Sequence, residues 1–131
     1  MNLPRRVWYP RTGHWEPGKP QAFTTVLLPH APDEDPARLA ATITLDADAP
    51  TMTALRITEG DTVRLVMLSN GEQVVTVEDV STDAEAMMLT YRQGKPMHVS
   101  AWNLRMLRTG TSAILCSDAR RNLDRDLNQG V

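Results

Sequence analysis

Between Val63 and Cys116 the chain is a succession of apolar runs broken by Asn70-Gly71, Gln93-Gly94 and Thr109-Gly110. Glycine takes positive φ without steric penalty and asparagine tolerates it, so Asn-Gly between two apolar runs is a strong hairpin signal. The flanking runs, such as Val63–Leu68 and Gln73–Val77, are rich in β-branched residues that suit a pleated, half-buried surface. The spacing predicts consecutive antiparallel hairpins, an all-β chain of the antiparallel β-sandwich class.

A two-residue loop at Asn70-Gly71 predicts Met67 opposite Val74 and Leu65 opposite Thr76, with Val66 and Val75 sharing the other face. Both faces are then partly apolar. A sheet with one wet side alternates more cleanly, so the second face calls for a cover, either another layer or a partner. Oligomerisation through that apolar face is one such cover. Gln93-Gly94 predicts the next hairpin, with Met97 opposite Thr90, Val99 opposite Met88 and His98 opposite Leu89. Leu104, Met106, Ile114 and Leu115 continue the pattern around Thr109-Gly110.

Three segments follow from composition. Residues 1–20 hold four prolines and two glycines among Arg, Trp and Tyr, which neither a helix nor a central strand sustains. This irregular lead-in is expected to pack on the domain through Trp8, Tyr9 and Trp15. Residues 21–116 form the sandwich. Its first strand is Ala22–Leu28, followed by an acidic, proline-bearing loop from His30, a strand over Ala40–Leu45, a turn at Asp46–Pro50 and a strand over Thr51–Thr58. In residues 117–131, Ser117 or Asp118 can cap a helix and only Leu123 and Leu127 form an apolar stripe, so a short C-terminal helix or flexible tail is expected.

With 131 residues one domain is the expectation. The formal charge is −2, and the arginines are scattered apart from Arg5-Arg6 and Arg120-Arg121, so no nucleic-acid partner is implied. Cys116 is the only cysteine, which excludes an internal disulfide and a thiolate metal cluster. The stretch Met1–Trp8 lacks the apolar run of a signal peptide, and no run approaches the roughly 20 residues needed to span a bilayer; a non-exported chain with no membrane partner is expected.

Chemistry is sparse. The histidines at 14, 30 and 98 are the metal-ligand candidates, and none lies in a close ligand pair. His30 stands nearest to carboxylates, at Asp33, Glu34 and Asp35. No serine has a G-x-S-x-G setting and Cys116 has no neighbouring histidine, so no nucleophile is assigned. Glu78 and Asp79 would point to opposite faces of a strand and cannot serve one substrate as acid and base. No catalytic residue and no cofactor are assigned. Trp8, Trp15 and Trp102 are candidate carbohydrate platforms, since indole stacks on the C–H face of a sugar; burial as anchors is the commoner fate of tryptophan.

The segment Gln21–Pro32, with its Phe23-Thr24-Thr25-Val26-Leu27-Leu28-Pro29-His30 core, resembles the β-sandwich region of heparinase II/III-like polysaccharide lyases and related alginate lyases. The order Trp8 and Trp15, that strand, the Asn-Gly hairpin and the closing turns to Cys116 is similar. The resemblance implies a terminal, non-catalytic sandwich whose role is structural support and docking, because the lyases keep their acid/base groups in a helical toroid that this chain lacks. It implies a larger lyase-like chain or a polysaccharide as partner, and a periplasmic or extracellular setting if the chain is part of such a lyase. The alternatives are a stand-alone carbohydrate-binding module using its tryptophans, and a small metal-dependent β-barrel enzyme using His14, His30 or His98.

Overall fold

The computed structural model describes residues 17–18, 25–27, 30–49 and 51–127, with the backbone alone for 47–49. The elements are α1 (Pro36–Ala40), β1 (Ile43–Ala49), β2 (Met52–Glu59), β3 (Thr62–Ser69), β4 (Val75–Val77), β5 (Val80–Thr82), β6 (Ala86–Arg92), β7 (Lys95–Thr109) and β8 (Ser112–Asp126). Every strand pairing among the described residues is antiparallel, so the all-β expectation holds. The strands form a single sheet in the order β1-β2-β3-β6-β7-β5-β4, with β8 on the free edge of β7.

Two-residue reversals drive this meander. Glu59 pairs with Thr62 across Gly60-Asp61, Arg92 with Lys95 across Gln93-Gly94, and Thr109 with Ser112 across Gly110-Thr111. At Gln93-Gly94 both central residues have positive φ, 51° and 74°. That twist matches the flanking strands, and the glycine takes it without strain.

The long strand β7 joins two layers. Its first half pairs with β6, and Leu107–Thr109 pairs with β5. Between them the pairing with β8 slips, from Ala101↔Leu123 to Leu104↔Arg121 and then Met106↔Cys116. Asn103 sits at this bulge with φ 54°. Beyond it, β4 and β5 turn over one face of β2, β3 and β6, bringing Val75, Val77 and Val80 into one core cluster with Ala54, Leu65, Met67, Leu89, Val99 and Leu107. An ion pair from Arg56 on β2 to Glu78 in the β4–β5 turn, 2.9 Å, ties the two layers at one end.

Several expectations are corrected. β3 pairs with β2 and β6, so both its edges are taken, and Val75–Val77 turns instead onto β5. Asn70-Gly71 is therefore not a hairpin loop. The β6–β7 hairpin begins as expected, Tyr91 opposite Pro96, but a bulge after Thr90 shifts the rest by one residue, so His98 faces Thr90 and Val99 faces Leu89. Residues 117–126 belong to β8 and do not form the expected C-terminal helix. The expected turn at Asp46–Pro50 is strand through Ala49. Of the expected first strand Ala22–Leu28, Thr25–Leu27 pair with nothing as strand and are exposed, and the remainder lies outside the described residues. The acidic loop expected from His30 to Arg38 forms only as far as Asp35, which caps the short helix α1, and the strand expected from Ala40 begins at Ile43.

Candidate functional site

Following the register across the sheet separates its faces. One row runs Ala54–Met67–Met87–Ala101–Leu123 and the next Leu65–Leu89–Val99, all directed into the core. The residues between them point the other way. Leu45, Leu55, Val66, Met88, Ser100 and Asp124 lie side by side from β1 to β8, and Leu68, Ala86 and Trp102 form a neighbouring row. Among the described residues no second layer covers this outer face. Leu45 and Leu68 are each 50% exposed, Met88 37% and Trp102 58%. A shallow depression of about 510 Å³ opens here, lined by Val66, Leu68, Met88 and Trp102 and rimmed by Asn122 and Asp124.

Trp102 owes its position to the β7 bulge. The Asn103 N–H donates to Asn122 Oδ1 at 3.1 Å and its side-chain amide donates to Glu85 Oε1 at 2.8 Å, which fixes the left-handed residue after the indole. Behind it, Asp83 is buried and accepts the backbone N–H groups of Arg105 and Met106 at 2.8 and 2.9 Å. Burial pushes the Asp83 carboxyl up, but those donors, the Arg105 side chain and the Arg120 charge together bring it below its ordinary value. Arg120 reaches in from β8 and donates to the carbonyls of Gly71 and Asn103. This polar knot holds the Asn70-Gly71 loop, the bulge and β8 together. No periodicity marks it, because its members come from four places in the chain.

The other candidate residues do not converge. Trp8, Trp15 and His14 lie outside the described residues. His30 is exposed, and its Nδ1–H donates to the Ala31 carbonyl at 2.9 Å. His98 stands on the outer face, with Nδ1 2.7 Å from Asp126 and Nε2 2.7 Å from Asp124. Asp126 holds its pKa above the ordinary value; desolvation opposes this and Asp124 adds to it. Among the described residues no three His, Cys, Asp or Glu side chains are placed to hold a metal ion. Cys116 is exposed.

A second depression, about 260 Å³, lies at the end of the core beside the β4–β5 turn, between Arg56, Val63, Leu65, Glu78, Asp79 and Tyr91. Arg56 is spoken for: its Nε donates to Asp46 at 2.9 Å while its Nη2 meets Glu78. Burial, then the charge of Asp79, pushes the Tyr91 phenol up to about 12. A phenol held neutral and an arginine already neutralised supply neither base nor nucleophile at neutral pH. Among the described residues no helix is long and apolar enough to cross a membrane. No known protein family and no curated protein matches this chain.

Proposed function

We propose that this chain is a non-catalytic structural domain that acts by docking, with the outer sheet face as its contact surface. The observation that carries this is the apolar band from Leu45 to Trp102, uncovered among the described residues, on the back of a sheet whose other face already has a core. Contiguous exposed apolar area rimmed by polar groups is the usual mark of an interaction surface. The partner is an apolar, positively charged polypeptide segment: residues 25–131 carry 10 basic and 15 acidic side chains, a formal −5, and Asp124 borders the depression. The lyase-sandwich resemblance agrees with such a supporting role and contributes no catalytic group.

A second reading, the carbohydrate module, draws on the half-exposed indole of Trp102 beside Asn122 and Asp124. A sugar site needs several polar groups ringed around its aromatic platform, and here Val66, Leu68, Ala86 and Met88 dominate. One titration separates the two. The full chain, carrying ¹³C-methyl methionine, is titrated with a synthetic peptide of alternating Leu and Arg, with its Leu/Glu counterpart, and with acidic and neutral oligosaccharides. Saturable movement of the Met88 methyl with the Leu/Arg peptide alone is expected. Movement with an oligosaccharide and with neither peptide transfers the site to the carbohydrate reading.

A further inference from the structure

Asn70-Gly71 leaves the sheet at the end of β3 and runs in the connection to β4, held by contacts from Thr51, Ser69, Glu72 and Arg120. The dipeptide has a chemistry of its own. The Gly71 nitrogen, once it has lost its proton to solvent, can attack Asn70 Cγ. The Cγ–Nδ2 bond then breaks and Nδ2, taking up a proton from water, leaves as ammonia. The five-membered imide that remains is opened by water at either carbonyl, giving aspartate or isoaspartate. Glycine admits the ring closure because it has no side chain to crowd it. We propose that Asn70 is a site of spontaneous deamidation gated by Arg120: with Arg120 seated the loop is unreactive, and its release admits the reaction.

Each reacting atom is engaged in the closed loop. Gly71 is buried and its N–H donates to Ser69 Oγ at 3.0 Å, while the Ser69 hydroxyl donates to the Ala84 carbonyl at 2.7 Å. Taking the proton from a buried amide leaves an anion out of water, which is strongly disfavoured. The Asn70 side chain is turned toward Glu72. Its Oδ1 accepts from the Glu72 N–H and its Nδ2 donates to Glu72 Oε2, both at 3.2 Å.

Arg120 holds this arrangement in place. It donates to the Gly71 carbonyl on one side and to the carbonyls of Asn103 and Asp83 on the other, the last at 3.3 Å. Gly71 also lies close against its neighbours: a Cβ there would stand 2.7 Å from Glu85 Cγ and 3.6 Å from Arg120 Nη1. Bringing the Gly71 nitrogen onto Asn70 Cγ requires rotation about the Asn70 Cα–C bond, which swings Gly71 away from both. The guanidinium must let go first. The reaction is then one-way. An aspartate at this position sets a second carboxylate beside Glu72 in place of the Nδ2 donor, and isoaspartate adds a methylene to the main chain that carries the Gly71 carbonyl off Arg120. Either product weakens the tie between this loop and the bulge that carries Trp102.

The test compares the full chain with a synthetic peptide of residues 67–76 at mildly alkaline pH, following Asn70 by peptide mapping and mass spectrometry. Asn70 in the chain is expected to react at least about tenfold more slowly than in the peptide, because the loop must open first. The same opening frees the Gly71 N–H, so its protection against hydrogen exchange should match that slowing in size. Arg120→Met keeps a long side chain and removes its donors. It should speed the deamidation several-fold while the Leu89 and Val99 amides stay protected. Arg121→Met removes the same charge from the neighbouring position and should leave the rate at the parent value. Equal rates in chain and peptide overturn the proposal, as does a Gly71 amide that exchanges freely while Asn70 stays slow. Equal acceleration by both arginine substitutions assigns the effect to net charge and removes the gate from Arg120, and so does an unchanged rate in a folded Arg120→Met chain. If that variant loses protection at Leu89, the two rates measured on the parent decide.

Discussion

Met87 and Met88 are adjacent in β6, equally apolar, and differ in everything that follows from direction. Met87 is 2% exposed and sits between Met67 and Ala101, whereas Met88 is 37% exposed between Val66 and Ser100. Alternation puts them on opposite faces; what distinguishes the faces is that β4 and β5 close over only one. Apolar composition thus decides that a strand belongs in a sheet, and the connections decide which side becomes core. The sharpest way to break this contrast is to truncate both sides. Leu89→Ala, from a position with no exposure, should destabilise by about 2–5 kcal/mol in urea unfolding, while Met88→Ala should cost under about 1 kcal/mol. Equal losses would mean that the outer face is packed in solution.

The next largest effect concerns the knot behind Trp102. Removing the carboxylate with Asp83→Ala leaves the N–H groups of Arg105 and Met106 unmatched and Arg120 without its facing charge. Leaving buried donors unsatisfied costs roughly 1–3 kcal/mol, so a drop of that size in the urea midpoint is expected. Gly71→Ala should cost less, about 1 kcal/mol. At φ 70° an alanine is strained, and its Cβ would come within 2.7 Å of Glu85 Cγ. Because Glu85 accepts from Asn103, the Gly71 variant should also disturb the Trp102 indole, visible as a shift of its N–H resonance.

The sequence carries the fold class because its tight turns are local: Gly60-Asp61, Gln93-Gly94 and Gly110 all reverse the chain. Asn70-Gly71 misleads for a non-local reason. Both edges of β3 are occupied, and the loop is held instead by Ser69 Oγ, which accepts from the Gly71 N–H, and by Arg120, 49 residues away. The C-terminal strand misleads for a geometric one. Leu123 and Leu127 are four apart, a spacing that lines one face of a helix and equally one face of a strand. A pairing partner then decides, and β7 supplies it. The apolar second face of the sheet was legible in Val66 and Leu68, whereas Met88 was expected opposite Val99 and faces Ser100 only because of the bulge after Thr90. Trp102 was legible as a residue, but its place beside them depends on a bulge in β7 set by Asn103, Asn122 and Glu85.

The smallest predicted effect is a pH dependence confined to the outer face. His98 on β7 meets Asp124 and Asp126 from β8 with both ring nitrogens; from β6 it faces the uncharged Thr90, and Arg64, the next charge along that row, is paired with Glu59. Neutral imidazole has one N–H, so only the protonated ring donates to both carboxylates. Its folded pKa is raised above the unfolded value near 6.5. The contribution to stability is therefore complete below about pH 6.5 and is lost as pH rises through the folded pKa. The side chains are well exposed, so solvent screening keeps the change in global stability small and the effect local to the end of β8. Amide exchange at Leu127, whose N–H donates to the Met97 carbonyl at 2.8 Å, should accelerate above that pKa beyond the ordinary base-catalysed rise. The amides of the Leu89↔Val99 pair in the same sheet should follow the ordinary rise alone. His98→Gln, which cannot carry the charge, should abolish the extra acceleration; its persistence would place the titrating group elsewhere.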